Sequence, residues 1–75
     1  MYTLTDTMIE NSGKALAKLD TGAVIGTASG IFARRETTGW TVAYPSDCHP
    51  GGYDVVRHVP TSALGGHRLF VAVAK

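Results

Sequence analysis

The spacing of apolar residues changes character at residue 23. Before it, residues 4–19 ("LTDTMIENSGKALAKL") place Leu4, Met8, Ala15 and Leu19 at intervals of four, seven and four, with Ile9, Ser12 and Leu16 widening the stripe. That periodicity predicts an amphipathic helix. Thr3 or Thr5 offers an N-cap, and Asp6 and Glu10 lie toward the positive end of the helix dipole. Lys14 and Lys18 lie toward the negative end, and Glu10 to Lys14 is a favourable pair one turn apart. Gly13 is the flaw, since glycine inside a helix costs about 1 kcal/mol relative to alanine. The Ser12-Gly13 pair therefore marks a bend or a delayed start. Asp20, Thr21 and Gly22 supply the stop, glycine being the residue that takes positive φ after a helix.

After residue 23 the pattern becomes that of strands. "AVIGTASGIFARRE" (23–36) is rich in β-formers and interrupted by Gly26 and Gly30, which predicts one long bent strand or two short ones joined at a bulge. "ETTG" (36–39) has the form of a four-residue hairpin turn. "WTVAY" (40–44) alternates strictly, with Trp40, Val42 and Tyr44 on one face and Thr41 and Ala43 on the other. "PSDCHPGG" (45–52) is loop by composition, and "YDVVRHV" (53–59) is a further strand. "PTSALGG" (60–66) reads as a short helical turn or loop. The nearly continuous apolar run "HRLFVAVA" (67–74) predicts a strand in the interior of the sheet.

The resulting expectation is an α+β fold, an N-terminal helix packed on a four-stranded antiparallel sheet, because the helical stripe needs a sheet face to bury it. A small SH3-like β-barrel with an N-terminal helix is the alternative, suggested by the bent first strand and the short helical turn before the last one. At 75 residues the chain is read as one domain, 1–75. A domain of this size buries only a little over ~60% of its unfolded surface.

Composition narrows the function classes. Hydrophobic residues make up 44% and charged residues 17%, which is globular, and the formal net charge of +1 provides no general attraction to nucleic acid or a membrane. So few charges leave an adhesive surface, compatible with a homodimer. A single cysteine forms no intramolecular disulfide. The first residues, "MYTLTDTMIENSGK", have neither the basic nor the apolar region of a signal peptide, and no apolar run approaches the ~20 residues of a membrane span. The expected location is cytoplasmic.

Four chemistries are conceivable from the residue inventory. Cys48, His49, His58 and His67, with Asp47, supply enough ligands for a zinc ion, but the spacing matches no familiar zinc pattern and one thiolate is few. Residues 46–52 are mostly turn formers, so Cys48 and His49 read as part of a turn. A Cys48 nucleophile activated by His58 or His67 lacks the chain length to build a substrate cleft around it. The six acids form no recognisable acid/base couple, and "GTASG" and "ALGG" lack the lysine and spacing of a phosphate loop. No enzyme, metal or cofactor is therefore expected.

Arginines carry the remaining signal. Arg35, Arg57 and Arg68 would form a patch for phosphates or carboxylates if they emerged on one face. Arg34 and Arg35 are adjacent and point to opposite sides of a strand, so they do not readily share one patch. Tyr44 and Tyr53 offer stacking surfaces, while Trp40 has a competing role in the core through its alternation with Val42. The expected function is a small non-enzymatic protein-binding module whose partner is a larger protein or nucleoprotein complex. Its partner-binding residues are expected among Arg35, Trp40, Tyr53, Arg57 and Arg68. Its small size places it among chains that act as inhibitors or regulators of a larger macromolecular complex, such as defence inhibitors carried by phages and plasmids. The alternative is a nucleic-acid-binding domain using an arginine and aromatic sheet face. No membrane partner is expected.

Overall fold

The computed structural model describes residues 2–48 and 51–74; His49 and Pro50 of the expected turn lie outside them. Six strands, β1 (Tyr2–Ile9), β2 (Val24–Gly26), β3 (Phe32–Glu36), β4 (Gly39–Pro45), β5 (Tyr53–Val59) and β6 (Leu69–Ala74), form one antiparallel sheet. The spatial order is β1-β6-β2-β3-β4-β5, which leaves β1 and β5 as the edges. One short helix, α1 (Gly13–Ala17), follows β1, and a 3-10 turn, Thr61–Leu64, precedes β6.

This overturns the α+β expectation of an N-terminal helix on four strands, and the helix-bearing barrel with it. The segment read as the first turns of a helix is an eight-residue strand. Its composition explains why: Thr3, Thr5 and Thr7 alternate as β-branched residues, which lose side-chain freedom in a helix and favour a pleated chain. β1 also has a tertiary task. β6 is an apolar strand and β1 pairs along it from Tyr2 opposite Ala74 to Ile9 opposite Leu69. The helix begins only at Gly13, where the Ser12 side chain accepts a hydrogen bond from the Ala15 N–H at 3.1 Å. Ser12-Gly13 is thus the start of the helix, with Ser12 as N-cap.

Of the two readings of 23–36, the two short strands are present as β2 and β3, but they pair as an antiparallel hairpin and are not joined by a bulge. Thr27 closes it. Its N–H donates to the Ile31 carbonyl at 2.9 Å, its carbonyl accepts from Gly30, and its buried hydroxyl accepts from the Ile31 N–H while sharing a 2.7 Å hydrogen bond with Ser29. Gly30 takes φ 96°, a conformation in which glycine is favoured.

One face of the sheet carries the core. Ile25, Ala33 and Val42 lie in register across β2, β3 and β4, and Trp40 faces Val59 on β5. With Leu69 they form one buried cluster, closed by Leu16 of α1 and Leu64 of the 3-10 turn. Trp40 is fully buried, and its indole N–H donates to the Thr61 hydroxyl at 3.1 Å, tying β4 to that turn. The Asn11 side chain donates to the Leu64 and His67 carbonyls at 2.8 and 2.7 Å, so the end of β1 and the approach to β6 are held together. α1 and the 3-10 turn thereby cover this face and leave the other face of the sheet uncovered by them.

Candidate functional site

Strand register dictates what the second face presents. Phe70, Gly26, Phe32, Ala43 and Val55 stand in one row across β6, β2, β3, β4 and β5. A second row runs Val24, Arg34, Thr41. The short residues of these rows set the floor. Ala43 and Thr41 sit between Phe32 and Arg34 on one side and β5 on the other. Gly26 has a comparable role: a Cβ there would meet Leu4 Cδ2 at 2.6 Å and Phe32 Cδ1 at 3.0 Å, so its absence lets Leu4 and Phe32 close over β2.

The result is a groove of about 490 Å³, lined on one side by Tyr2, Val24, Phe32 and Arg34 and on the other by Tyr53, Val55 and Arg57. The Tyr2 and Phe32 rings are 6.2 Å apart. Tyr2 and Tyr53 belong to opposite edge strands, which a flat six-stranded sheet would hold about 24 Å apart at ~4.8 Å per strand; the sheet is therefore curved around the groove. Tyr53 and Val55 are 36% and 53% exposed, and Tyr2 is 37% exposed, so the walls present apolar surface directly to solvent.

The electrostatics are asymmetric. Arg34 Nε donates to Glu36 Oε1 at 2.8 Å on β3. That hydrogen bond holds the Glu36 carboxyl below the ordinary carboxylate range, with the Thr41 hydroxyl and the Arg57 charge adding to the effect, and raises the Arg34 guanidinium. Arg57 makes no salt bridge among the described residues. It lies between the groove and a smaller cleft lined by Glu36, Thr37, Thr38, Thr41 and His58. His58 has φ 59° at the register shift of the β4–β5 pair, a left-handed conformation that re-aims this end of β5.

The structure divides the sequence-derived candidates. Tyr53 and Arg57 come together in the groove. Trp40 is fully buried and presents no surface, as its alternation with Val42 foretells. Arg35 faces Trp40 on the core side, with Cζ 5.6 Å from the ring centroid and Nη1 donating to the Gly39 carbonyl at 3.0 Å. Arg68 is exposed ahead of β6 and does not line the groove. Arg35, Arg57 and Arg68 therefore share no patch; Arg34 is the arginine that joins Arg57. The hairpin register carried that signal, since a turn at 36–39 sets Arg35 opposite Trp40 and so sends Arg34 to the other face. Tyr2 had no such signal, because its place depends on β1 being a strand.

Elsewhere, Cys48 is exposed, and its N–H donates to the Ser46 hydroxyl at 3.3 Å. Among the described residues no three His, Cys, Asp or Glu side chains converge on a point. Among the described residues no helix is long and apolar enough to cross a membrane. Comparison with protein-family models, with curated proteins and with solved structures finds no match for this chain.

Proposed function

We propose that this chain is a non-enzymatic protein-binding module that receives an apolar segment of a larger protein in the groove on the open face of its sheet. The observation that carries the reading is the groove itself, where exposed Tyr2, Tyr53 and Val55 stand beside half-buried Phe32 and Val24 as an apolar surface of the kind that marks an interaction site. Occupying a segment of a larger complex, without chemistry, is how such a module acts as a regulator or inhibitor of that complex.

A second reading is favoured by one feature, the placing of two arginines beside stackable rings, which suits single-stranded nucleic acid. It is the weaker of the two because Arg34 is already paired with Glu36, so that among the described residues Arg57 is the one groove cation without a salt bridge, and its charge also acts on Glu36. Phosphate tracking gains its affinity from several cations acting together.

The test is capture from a native lysate with the wild-type chain and with Val55→Glu, the latter checked for unchanged circular dichroism. A stoichiometric protein that withstands nuclease and is lost with Val55→Glu supports the reading. Capture that vanishes with nuclease, and weakens steeply with salt, replaces it with the nucleic-acid reading.

A further inference from the structure

We infer that the segment received by the groove is an acidic, extended strand that adds antiparallel to the free edge of β5. This rests on the protein-binding reading of the groove and names the chemistry of the partner. The backbone supplies the first argument. The Ser46 N–H donates to the Gly52 carbonyl at 2.9 Å just beyond the β4–β5 ladder. Hydrogen-bonded pairs alternate along an antiparallel ladder, so Tyr44 with Asp54 and Val42 with Val56 are the bonded pairs that follow. The N–H and C=O groups of Asp54 and Val56 thus point at β4, and those of Tyr53 and Val55 point outward, along an edge that no other strand pairs among the described residues. The Arg35 N–H bond to the Ala23 carbonyl across β2–β3 has the parity that this assignment requires.

Side chains supply the second argument. Residues directly opposite in a ladder face the same side of the sheet. A strand bonded to Tyr53 and Val55 would therefore place its matching side chains in the groove, beside residues that already line it. The same residues offer both backbone bonds and apolar contact, the combination used in strand addition.

Charge decides what the strand carries. Among the described residues two guanidinium groups and no carboxylate line the groove; Arg34 is paired with Glu36, and Arg57 makes no salt bridge among them. Antiparallel addition puts Arg57 toward the N-terminal end of the incoming strand. The recognised pattern is an acidic residue, then two positions later an apolar one facing Val55, then two positions later a second apolar or aromatic one facing Tyr53. The opposite edge is less suited. β1 has a register shift between Leu4 and Met8, and Thr5 uses its hydroxyl to donate to the Val71 carbonyl and to accept from the Thr7 N–H. An irregular edge of this kind resists further pairing, whereas the shift in β5 falls between Val56 and Val59, beyond residues 53–56 that the incoming strand would pair with.

The experiment is selection of a random peptide library on the full chain, followed by affinity measurement on variants. Enriched peptides should share the acidic, apolar spacing, and Arg57→Glu should weaken them about tenfold, the size of one charge-assisted contact. Reselection on Arg57→Glu should return lysine or arginine at the acidic position. Val55→Pro removes an outward N–H without touching the β4 ladder, and should abolish binding if its melting temperature is kept; if it unfolds, Arg57→Glu alone decides. Peptides that lose binding with Tyr53→Ala but ignore Arg57→Glu would overturn the acidic strand and leave the groove reading standing. No enrichment overturns both. Displacement of the enriched peptides by a short thymidine oligonucleotide, which itself binds tightly at physiological salt, would overturn the inference in favour of nucleic acid.

Discussion

Trp40 gives up all of its surface to the core and keeps its one polar atom satisfied on Thr61. Truncation to alanine removes both the packing and the link to the 3-10 turn, and should destabilise the chain by about 3–5 kcal/mol in urea unfolding. Thr61→Val isolates the polar part and should cost about 1–2 kcal/mol, because the indole N–H is left without its acceptor. Glycines separate in the same way. Gly39 takes φ 100°, and a Cβ there would stand 2.7 Å from the Val59 carbonyl oxygen, so Gly39→Ala should destabilise markedly. Gly13 has open space around it at the first turn of α1. Gly13→Ala should stabilise by about 0.5 kcal/mol, the usual gain where the backbone already suits alanine. Denaturation curves of the two alanine variants beside wild type check both signs. At this scale much was legible: the Trp40 and Val42 alternation marked the core side, and the adjacency of Arg34 and Arg35 already placed them on opposite faces.

Among the elements, the N-terminal strand is where the sequence pattern misled. Leu4 and Met8 follow a strand, Leu16 and Leu19 follow or flank a helix, and their spacing across the junction imitates one helical stripe. Nothing local forbids the imitation, apart from three alternating threonines and the Ser12-Gly13 pair. The strand wins because β6 offers it a ladder, a long-range gain that periodicity does not register. On β3, the Arg34–Glu36 pair makes a pH prediction. The Glu36 carboxyl is held low by its hydrogen bond from Arg34, so the stability it contributes is present above the ordinary carboxylate range and is lost as pH falls through its own lowered value. Both groups are substantially exposed, so the effect should be small and screened by salt. Melting temperature against pH should show a slightly flatter acid limb for Glu36→Gln than for wild type. The same substitution frees Arg34 for the groove and should tighten an acidic peptide, whereas a nucleic-acid contact would tighten with a stronger salt slope.

For the whole molecule, one sheet serves two purposes, and each face fixes the other. The side covered by α1 and the 3-10 turn buries Trp40, Ile25 and Leu69; alternation along β3 then sends Phe32 to the side left open, and the register shift at His58 turns Val55 and Arg57 to that side while Val59 stays in the core. A single-residue slip in the β3–β4 register would exchange these sets, which is why the 36–39 hairpin matters to the groove as well as to the core. By itself the sequence determined the local matters: the hairpin at 36–39, the strand character of 40–44, 53–59 and the last apolar run, the side of β4 that faces inward, and the pairing of Tyr53 with Arg57 on one strand. These follow from side-chain alternation and turn chemistry, which act over a few residues. Tertiary structure alone decided that residues 2–9 are a strand, that β6 lies between β1 and β2, and that Tyr2 and Tyr53 from opposite edges meet at one groove. Those features depend on contacts between residues far apart in the chain and on the curvature of the assembled sheet, and no short window of sequence contains both partners.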